Sequence, residues 1–317
     1  MKTEPNFRIG NIPIYGDLIL APMDGITDMP FRGLCRRLGS AMTVTEFINA
    51  LDVIEGNPRY HKRLAFKPYH RPISLQILGD QPERMLTAAE RLVERVHPDI
   101  LDINIGCQSK NVTARGAGAA LMKTPEKIAH IFQLMTSNFK IPVTGKIRLG
   151  WDRDHLNYLE VAKVIQDNGG AMVAVHGRTR KQAYRGNADW EPIREVKEAL
   201  GIPVVGNGDV QNIDDIEDIK QFTGCDAVMI GRAAVGNPWI FSRLDREDVP
   251  GETVKVTIIN HLDAMVDFYG QRGVITFRKY LKAYLKPYEL PQETLLPLLK
   301  SKDPEFIKKN LNKIIPK

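Results

Sequence analysis

Cys107 stands where a thiol could take part in a reaction. It follows an apolar run at residues 100–105, which predicts a buried strand with Asn104 near its carboxyl end. A thiol in the loop beyond such a strand could act on a ligand bound there. The commonest role of a free cysteine, however, is that of a small buried side chain. The stretch around Cys107 leaves both roles open.

Two cations occur inside another apolar run. Lys146 and Arg148 are two residues apart at residues 142–149, so on a strand their side chains would share one face. A buried charge without a partner is costly, so the pair requires an anionic or electron-rich group. That group could be an internal carboxylate, Glu46 or Asp102, or it could be a ligand.

Glycine-containing segments follow the last two apolar runs. Gly206-Asn-Gly208 comes after one run and Gly231-Arg232 after the next. Glycine turns and helix starts present backbone amides that bind phosphate. Each segment alone is common in turns, but together they predict a phosphate site. His176 also ends a run, with Arg178 two residues further on, and this favours a position in a pocket over one in the core.

These residues can meet only if the apolar runs are neighbouring strands. Eight such runs, with helical segments between most of them, predict an α/β fold, a (β/α)8 barrel whose functional residues lie at the carboxyl ends of the strands. A doubly wound sheet would usually have fewer strands and an early G-x-G-x-x-G, which is absent. The runs are 18–23, 42–47, 73–78, 100–105, 142–149, 172–177, 203–208 and 227–231, and the helical segments include 82–96, 125–137, 155–168, 191–200 and 213–222.

The composition narrows the class of protein. No apolar run approaches the roughly 18 residues of a membrane span, and the chain start lacks the hydrophobic region of a signal peptide. The three cysteines, Cys35, Cys107 and Cys225, are far apart and form no C-x-x-C pair. We therefore expect a cytoplasmic protein with no disulfide and no metal site.

Residues 244–317 contain only helical patterns, which predicts a small helical domain after a barrel domain of residues 1–243. Residues 251–317 hold twelve Lys and Arg against seven Asp and Glu, a net +5 out of +6 for the whole chain. This excess predicts a polyanionic partner, with a solvated helical surface as the alternative. The predicted contact face comprises Arg278, Lys279, Lys282 and Lys286, beside Tyr280 and Tyr284.

Together, these segments resemble the tRNA-dihydrouridine synthases, flavoenzymes that reduce a uracil base in tRNA. The similarity runs from Leu20 to about Trp239 and continues more weakly beyond. Within the family the chain is most similar to the bacterial B branch, partly through Asn237-Pro-Trp-Ile240. The motifs are Ala21-Pro-Met-Asp-Gly-Ile-Thr-Asp28, Asp102-Ile-Asn-Ile-Gly-Cys107, Lys146-Ile-Arg148, His176-Gly-Arg-Thr179, Gly206-Asn-Gly-Asp209 and Met229-Ile-Gly-Arg-Ala-Ala234.

The resemblance implies FMN as cofactor, NADPH or NADH as reductant, and Cys107 as the general acid. A hydride would go from reduced FMN to C6 of the base and a proton from Cys107 to C5, and a thiol with a pKa near 8.5 stays protonated for that step. The implied FMN contacts are Pro22, Met23, Asp24 and Gln76 at the ring, Lys146 and His176 at its polar edge, and Asn207, Gly208, Asp209, Gly231 and Arg232 at the phosphate. The predicted substrate-binding residues are Asn104, Arg148 and Arg178 at the base, and Arg278, Lys279 and Lys282 on tRNA.

One residue departs from the family pattern. Proline usually follows the cysteine, and here it is Gln108, which frees the loop and adds an amide. The alternatives are an FMN-dependent oxidoreductase acting on a free pyrimidine or on ribosomal RNA, and an RNA-binding relative without activity. The basic helical domain argues against the free pyrimidine, while Cys107, Lys146 and His176 argue for catalysis. The sequence leaves open the modified uridine and the oligomeric state, a monomer included.

Overall fold

The computed structural model describes residues 4–315, and residues 1–3 and 316–317 lie outside it. The first three residues belong to the chain start that was predicted to lack a signal peptide. Eight parallel strands form a barrel, as the apolar runs predict. Almost all their residues are buried, as expected for strands covered by helices on one face and by side chains on the other. The strands are β1 (Leu18–Leu20), β2 (Thr43–Val44), β3 (Ile73–Leu78), β4 (Ile100–Ile105), β5 (Val143–Ile147), β6 (Val173–His176), β7 (Val204–Asn207) and β8 (Ala227–Ile230).

The outer layer of the barrel consists of helices with the predicted end signals. Asn212 caps one helix in a capping box with Asp215, and Gly224 ends it with φ 66°. The helices are α1 (Met29–Arg37), α2 (Pro82–Val96), α3 (Pro125–Asn138), α4 (Tyr158–Asp167), α5 (Glu191–Ala199) and α6 (Ile213–Thr223). The prediction of a helix from residue 155 is wrong, because His155–Leu156 pairs with Gly150–Asp152 as a hairpin.

An antiparallel hairpin closes the amino-terminal end of the barrel. Its strands are Phe7–Ile9 and Ile12–Ile14, and its isoleucines at 9 and 14 are buried in one cluster with the inward side chains of the barrel. The turn residue Gly10 lies against Pro142 and Ala171, just before β5 and β6 begin. The opposite end, at the carboxyl ends of the strands, is therefore the one available for a ligand.

The barrel has a seam between β1 and β2. There the Ala41 amide donates to the Leu18 carbonyl at 2.7 Å, and the Leu20 amide donates to Ser40 Oγ at 3.1 Å. The other neighbouring strands pair in parallel ladders, and the last strand, β8, pairs with the first, β1. The sheet therefore closes on itself, as the prediction of a (β/α)8 barrel requires.

Four helices follow the barrel, as predicted: α7 (Gly251–Tyr269), α8 (Arg272–Leu285), α9 (Gln292–Lys300) and α10 (Pro304–Ile314). They share an apolar cluster with the barrel helices, and the ring of Phe31 in α1 lies 5.6 Å from that of His261 and 5.0 Å from that of Tyr280. The domain boundary between residues 243 and 244 stays a prediction, since this core runs across it.

Tyr280 and Tyr284 lie in that core, so their predicted place on the RNA-contact face is wrong. Both side chains are fully buried. Phe277, Tyr280, Leu281 and Tyr284 recur at the spacing of the apolar stripe on a helix, which turns them away from the basic residues. The hydroxyl of Tyr280 donates to the Ile26 carbonyl.

Shorter elements connect the strands and helices. They are the strand Ile48–Asn49, the helices Ala50–Ile54, Lys110–Thr113 and Ala233–Gly236, and 3-10 turns at Pro58–Leu64, Pro68–His70, Gly118–Lys123, Pro238–Ser242, Arg246–Asp248 and Lys286–Tyr288. Within residues 4–315, none of the helices is both long enough and apolar enough to span a bilayer.

Candidate active site

A cavity of about 800 Å³ opens at the carboxyl-terminal end of the barrel. It is lined by residues of β5, β6, β7 and β8 and by the segments that follow β1, β6, β7 and β8. Arg178 lines it, as do all the predicted flavin-binding residues except Asp24 and Gln76. Those lining residues are Pro22, Met23, Lys146, His176, Asn207, Gly208, Asp209, Gly231 and Arg232.

One part of the cavity wall presents unpaired backbone amides. The amides of Gly208, Asp209, Gly231 and Arg232 donate to no other group in the described part of the chain. Gly208 has φ 134°, and a Cβ there would lie 2.7 Å from the Cβ of Ala188, so the turn requires glycine. Concave turns with free amides bind anions, so this wall can hold a phosphate.

Lys146 projects from β5 into the cavity and bonds to a neutral partner. Its Nζ donates to Asn207 Oδ1 at 2.8 Å, and Asn207 Nδ2 donates to the Met229 carbonyl at 2.7 Å. Burial, and then the charge of Arg148, lower the pKa of Lys146 from 10.5 to about 7. At neutral pH such a lysine is partly the neutral amine, and a nearby anion favours its protonation to the ammonium.

Arg148 holds three carbonyl groups instead of a carboxylate. Its Nε donates to Gly106 O at 2.8 Å, and its Nη1 donates to Thr179 O at 3.1 Å and Ala183 O at 3.0 Å. No ion pair joins Lys146 or Arg148 to Glu46 or Asp102 within residues 4–315, so the internal-carboxylate alternative is wrong. The charge of Asp102 acts on Lys146 only from a distance, and neither cation has a carboxylate within hydrogen-bond reach among the described residues.

His176, at the end of β6, is held in the neutral form. Burial lowers its pKa well below the ordinary value, and the charges of Lys146, Arg148, Arg178 and Arg232 lower it further. Arg178 Nη1 lies 3.4 Å from its Nε2. Because arginine only donates, this contact assigns the ring proton to Nδ1.

Arg178 forms a buried ion pair within the cavity wall. Only 2% of its surface is exposed, and its Nη2 lies 2.6 Å from Asp209 Oδ2 and 2.6 Å from the Gly186 carbonyl. Burial raises the pKa of Asp209, but bonds from Arg178 and the Ala188 amide bring it below the ordinary value. Substrate binding by Arg178 stays a prediction, since its Nη2 is used inside the protein.

A chain of hydrogen bonds positions the loop that carries Cys107. Asn104 Oδ1 accepts from the amides of Gly106 at 3.2 Å and Cys107 at 2.9 Å. Asn104 Nδ2 donates to Gln76 Oε1 at 2.7 Å, and Gln76 Nε2 donates to Asp102 Oδ2 at 2.7 Å. Gln76 and Asn104, predicted to contact flavin and base, therefore also fix this loop.

The thiol of Cys107 is kept protonated. Burial raises its pKa above the ordinary value, as does the charge of Asp24, while the Ser109 amide and Arg148 lower it less. Asp24 itself pairs with Arg63 at 2.6 Å. Gln108, in place of the family's proline, is half-buried, and its side chain bonds to no described residue. Cys35 and Cys225 are free and buried.

Two aromatic residues of the cavity were not predicted from the sequence. Tyr184 is 52% exposed, and its ring centre lies 5.8 Å from Arg148 Cζ and 4.9 Å from Arg232 Cζ. Trp190 Nε1 donates to the Gly208 carbonyl at 3.0 Å. Both belong to an irregular segment after β6, where no periodic pattern distinguishes a wall residue from a surface one.

The residues predicted to contact tRNA have different surroundings. Arg278 Nη2 donates to the carbonyls of Lys300 at 3.0 Å and Ser301 at 3.3 Å, at the end of α9. Lys279 Nζ donates to the Gly25 carbonyl in the barrel. Lys282 is exposed and lines a groove of about 420 Å³. No cluster of three or more His, Cys, Asp or Glu suited to a metal ion occurs among the described residues.

The chain matches the family model described as dihydrouridine synthase (Dus) over residues 19–311. It is 38% identical over 295 residues to tRNA-dihydrouridine synthase B of Vibrio parahaemolyticus, covering 90% of this chain and 91% of the relative. The protein of that name from Xanthomonas axonopodis pv. citri is 42% identical over 290 residues, which cover 89% and 87% of the two chains.

Among solved structures, histamine dehydrogenase from Rhizobium sp. 4-9 has a similar fold, with a TM-score of 0.52 and 11% identity over 81% of this chain and 50% of that one. This likeness concerns the fold alone. The curated relatives confirm the predicted similarity to the B branch. On the match to the family model and to these relatives, the chain belongs to the dihydrouridine synthase family.

Proposed function

We propose that this protein reduces uridine to 5,6-dihydrouridine in tRNA, with FMN as its flavin and NADPH as the source of electrons. The relatives named tRNA-dihydrouridine synthase B align over about nine tenths of the chain. The observation that carries the proposal is an anion-binding cavity linked to the loop of the protonated Cys107 thiol through Arg148, which bonds to the Gly106 carbonyl of that loop and lies over the ring of the cavity residue Tyr184. Reduction of a carbon–carbon double bond requires both a proton donor and a bound reductant. We propose a cytoplasmic location, where tRNA is found.

The residues of the cavity fit an FMN group. A phosphate would accept from the free amides of Gly208, Asp209, Gly231 and Arg232, with the Arg232 guanidinium nearby. The ring would lie against the apolar surface of Pro22, Met23 and Met229, and its polar edge against Lys146 and His176. These residues all line the cavity of about 800 Å³, a volume within the usual range for cofactor sites.

The chain's own residues then handle the proton and the charge. When bound, FMN would supply the hydride that goes to C6 of the uracil. Cys107 Sγ holds a proton at neutral pH, gives it to C5 and regains one from water. Lys146, with a pKa of about 7, can be charged where negative charge develops, while neutral His176 adds no second cation.

The uracil base would reach the Cys107 thiol only when it is unstacked from the neighbouring bases of the tRNA. A uracil inside folded tRNA must be flipped into the cavity. Asn104 and Arg148 lie beside the Cys107 loop and would orient the base there. The exposed lysines Lys282 and Lys286 on the helical segment would contact phosphates of the tRNA backbone.

The test is to purify the protein and measure its bound flavin, its oxidation of NADPH, and dihydrouridine formed in tRNA from a strain without the gene. We expect a yellow protein that modifies tRNA and oxidises NADPH faster than NADH. Parallel reactions contain ribosomal RNA and free uridine.

The outcomes separate the proposal from its rivals. If the protein reduces free uridine but not uridine in tRNA, it is a small-molecule reductase and the proposal is wrong. If it modifies ribosomal RNA alone, the proposed substrate is wrong. A protein that binds tRNA but no flavin would indicate a relative without catalytic activity.

A further inference from the structure

The turn at Gly25 lies between the cavity and the C-terminal helices. It follows Pro22 and Met23, which line the cavity. Gly25 has φ 72°, and nothing lies within 4 Å of the position a Cβ would take. Thr27 Oγ1 holds the ends of the turn through the amide and carbonyl of Met23. At its tip no packing surrounds Gly25, so the tip depends on hydrogen bonds from outside the turn.

Charged side chains from two distant segments hold this backbone. The Gly25 amide donates to Glu46 Oε1 at 2.7 Å, and the Gly25 carbonyl accepts from Lys279 Nζ. The next carbonyl, that of Ile26, accepts from the hydroxyl of Tyr280. Helix α8 thus contacts two consecutive carbonyl groups of the turn through two consecutive residues.

Lys279 differs from Lys282, the other lysine of its helix, although both line the same groove. It is half-buried, and burial lowers its pKa despite the nearby carboxylates of Asp28, Glu46 and Asp24. Lys282, one turn further along α8, is exposed and makes no hydrogen bond or ion pair with another described residue. A hydrogen bond from a charged donor is worth more than a neutral one, so losing the Lys279 contact should free the turn.

We propose that Lys279 is a positioning residue that, with Glu46, fixes the Gly25 turn and thereby the Pro22–Met23 wall of the cavity, and that Lys282 and Lys286 contact the RNA in its place. This revises the prediction that Lys279 contacts tRNA. The proposal rests on the proposed function, since it takes the cavity to be the flavin site. It makes the C-terminal helices part of the flavin site as well as of the RNA-binding surface.

The test compares full-length Lys279→Met and Lys279→Arg with Lys282→Met, a matched loss of one charge on the same helix. Four quantities are measured: the FMN affinity of the flavin-free protein, the absorption spectrum of the rebound flavin, tRNA affinity against salt concentration, and hydrogen exchange in a peptide covering residues 20–28. We expect Lys279→Met to weaken FMN binding about tenfold, shift the flavin spectrum and speed exchange in that peptide. Lys279→Arg, which keeps the charge, should retain most of the FMN affinity, the flavin spectrum and the slow exchange of the unmodified protein.

Lys282→Met should leave the peptide's exchange and the flavin spectrum unchanged and lower the salt slope of tRNA binding by about one. If Lys279→Met instead lowers the salt slope equally and leaves exchange and FMN affinity unchanged, Lys279 is an RNA contact and the proposal is overturned. If Lys279→Met does not fold, Glu46→Gln tests the other half of the same turn with the same expected result. Absence of FMN binding by the unmodified protein would refute the proposed function, whereas the exchange measurement would still decide whether Lys279 holds the turn.

Discussion

Lys146→Met should remove part of the pH dependence of this protein's stability. Burial and the charge of Arg148 lower the pKa of Lys146 from 10.5 to about 7 in the folded state. In the unfolded chain both influences are lost and the pKa returns to its ordinary value. Between pH 7 and 10.5 the unfolded state therefore binds more protons than the folded state, and stability rises with pH.

The direction and size of the change in stability with pH follow from this shift of the Lys146 pKa. Below the folded pKa the lysine is charged in both states, and the folded state bears the full penalty of burying the charge. As the pH rises through the folded pKa the penalty is relieved, which amounts to about 2 kcal/mol between pH 7 and pH 9. Methionine carries no charge, so the component disappears. Losing the 2.8 Å bond to Asn207 changes the stability at both pH values alike.

The measurement is urea unfolding of the flavin-free protein at pH 7 and pH 9. The free energy of unfolding of the unmodified protein should gain about 2 kcal/mol more over this interval than that of Lys146→Met. Lys282→Met is the control. Because Lys282 is exposed, the free energy of unfolding of this variant should change with pH in parallel with that of the unmodified protein. Parallel profiles for Lys146→Met as well would refute the assignment of a lowered pKa to Lys146.

Four further predictions concern the loop and the cavity wall. At pH 7.5 iodoacetamide should modify Cys107 more slowly than a free thiol, with a rate that rises above pH 9. Equal rates would contradict a raised pKa. Cys107→Ala should still bind FMN and oxidise NADPH but form little dihydrouridine. Asn104→Ala should lower the free energy of unfolding by about 3 kcal/mol in a urea experiment, because two amides and Gln76 lose their partner, and an unchanged value would mean that these bonds do not hold the loop. Asp209→Asn should cost about 3 kcal/mol in a thermal or urea unfolding experiment, because it leaves the Arg178 guanidinium buried without a counter-charge, whereas an unchanged midpoint would mean that the pair contributes nothing.

The fold could be predicted because each barrel strand coincides with a continuous apolar run. Val173–His176 and Val204–Asn207 lie inside the predicted runs at 172–177 and 203–208. The hairpin at residues 150–156 was missed because its second strand, His155–Leu156, is exposed and has no apolar pattern of its own. A periodic pattern of apolar residues indicates which side chains are buried, and an exposed strand of two residues contains no such pattern.

The site was predictable as a set of positions but not as a set of contacts. Strand ends placed Lys146 and His176 at the cavity because all parallel strands end on one side. The partner of Arg178 is 31 residues away, and the carbonyl bound by Lys279 is 254 residues away. Such pairings depend on how the chain returns to itself, which no local spacing encodes. Tyr280 illustrates the same limit, since a tyrosine beside lysines suits a surface or a core equally well.

The pairing of β8 with β1 also constrains the order of events during protein synthesis. The first strand ends at Leu20, and its partner begins about 200 residues later, at Ala227. A growing chain on the ribosome therefore carries one unpaired edge of β1 through most of translation, a period in which chaperones are most useful. The cavity needs residues from both Pro22 and Arg232, so a flavin can stabilise only a nearly finished chain. A ligand bound in the cavity can therefore stabilise the completed protein but cannot assist the folding of its first half.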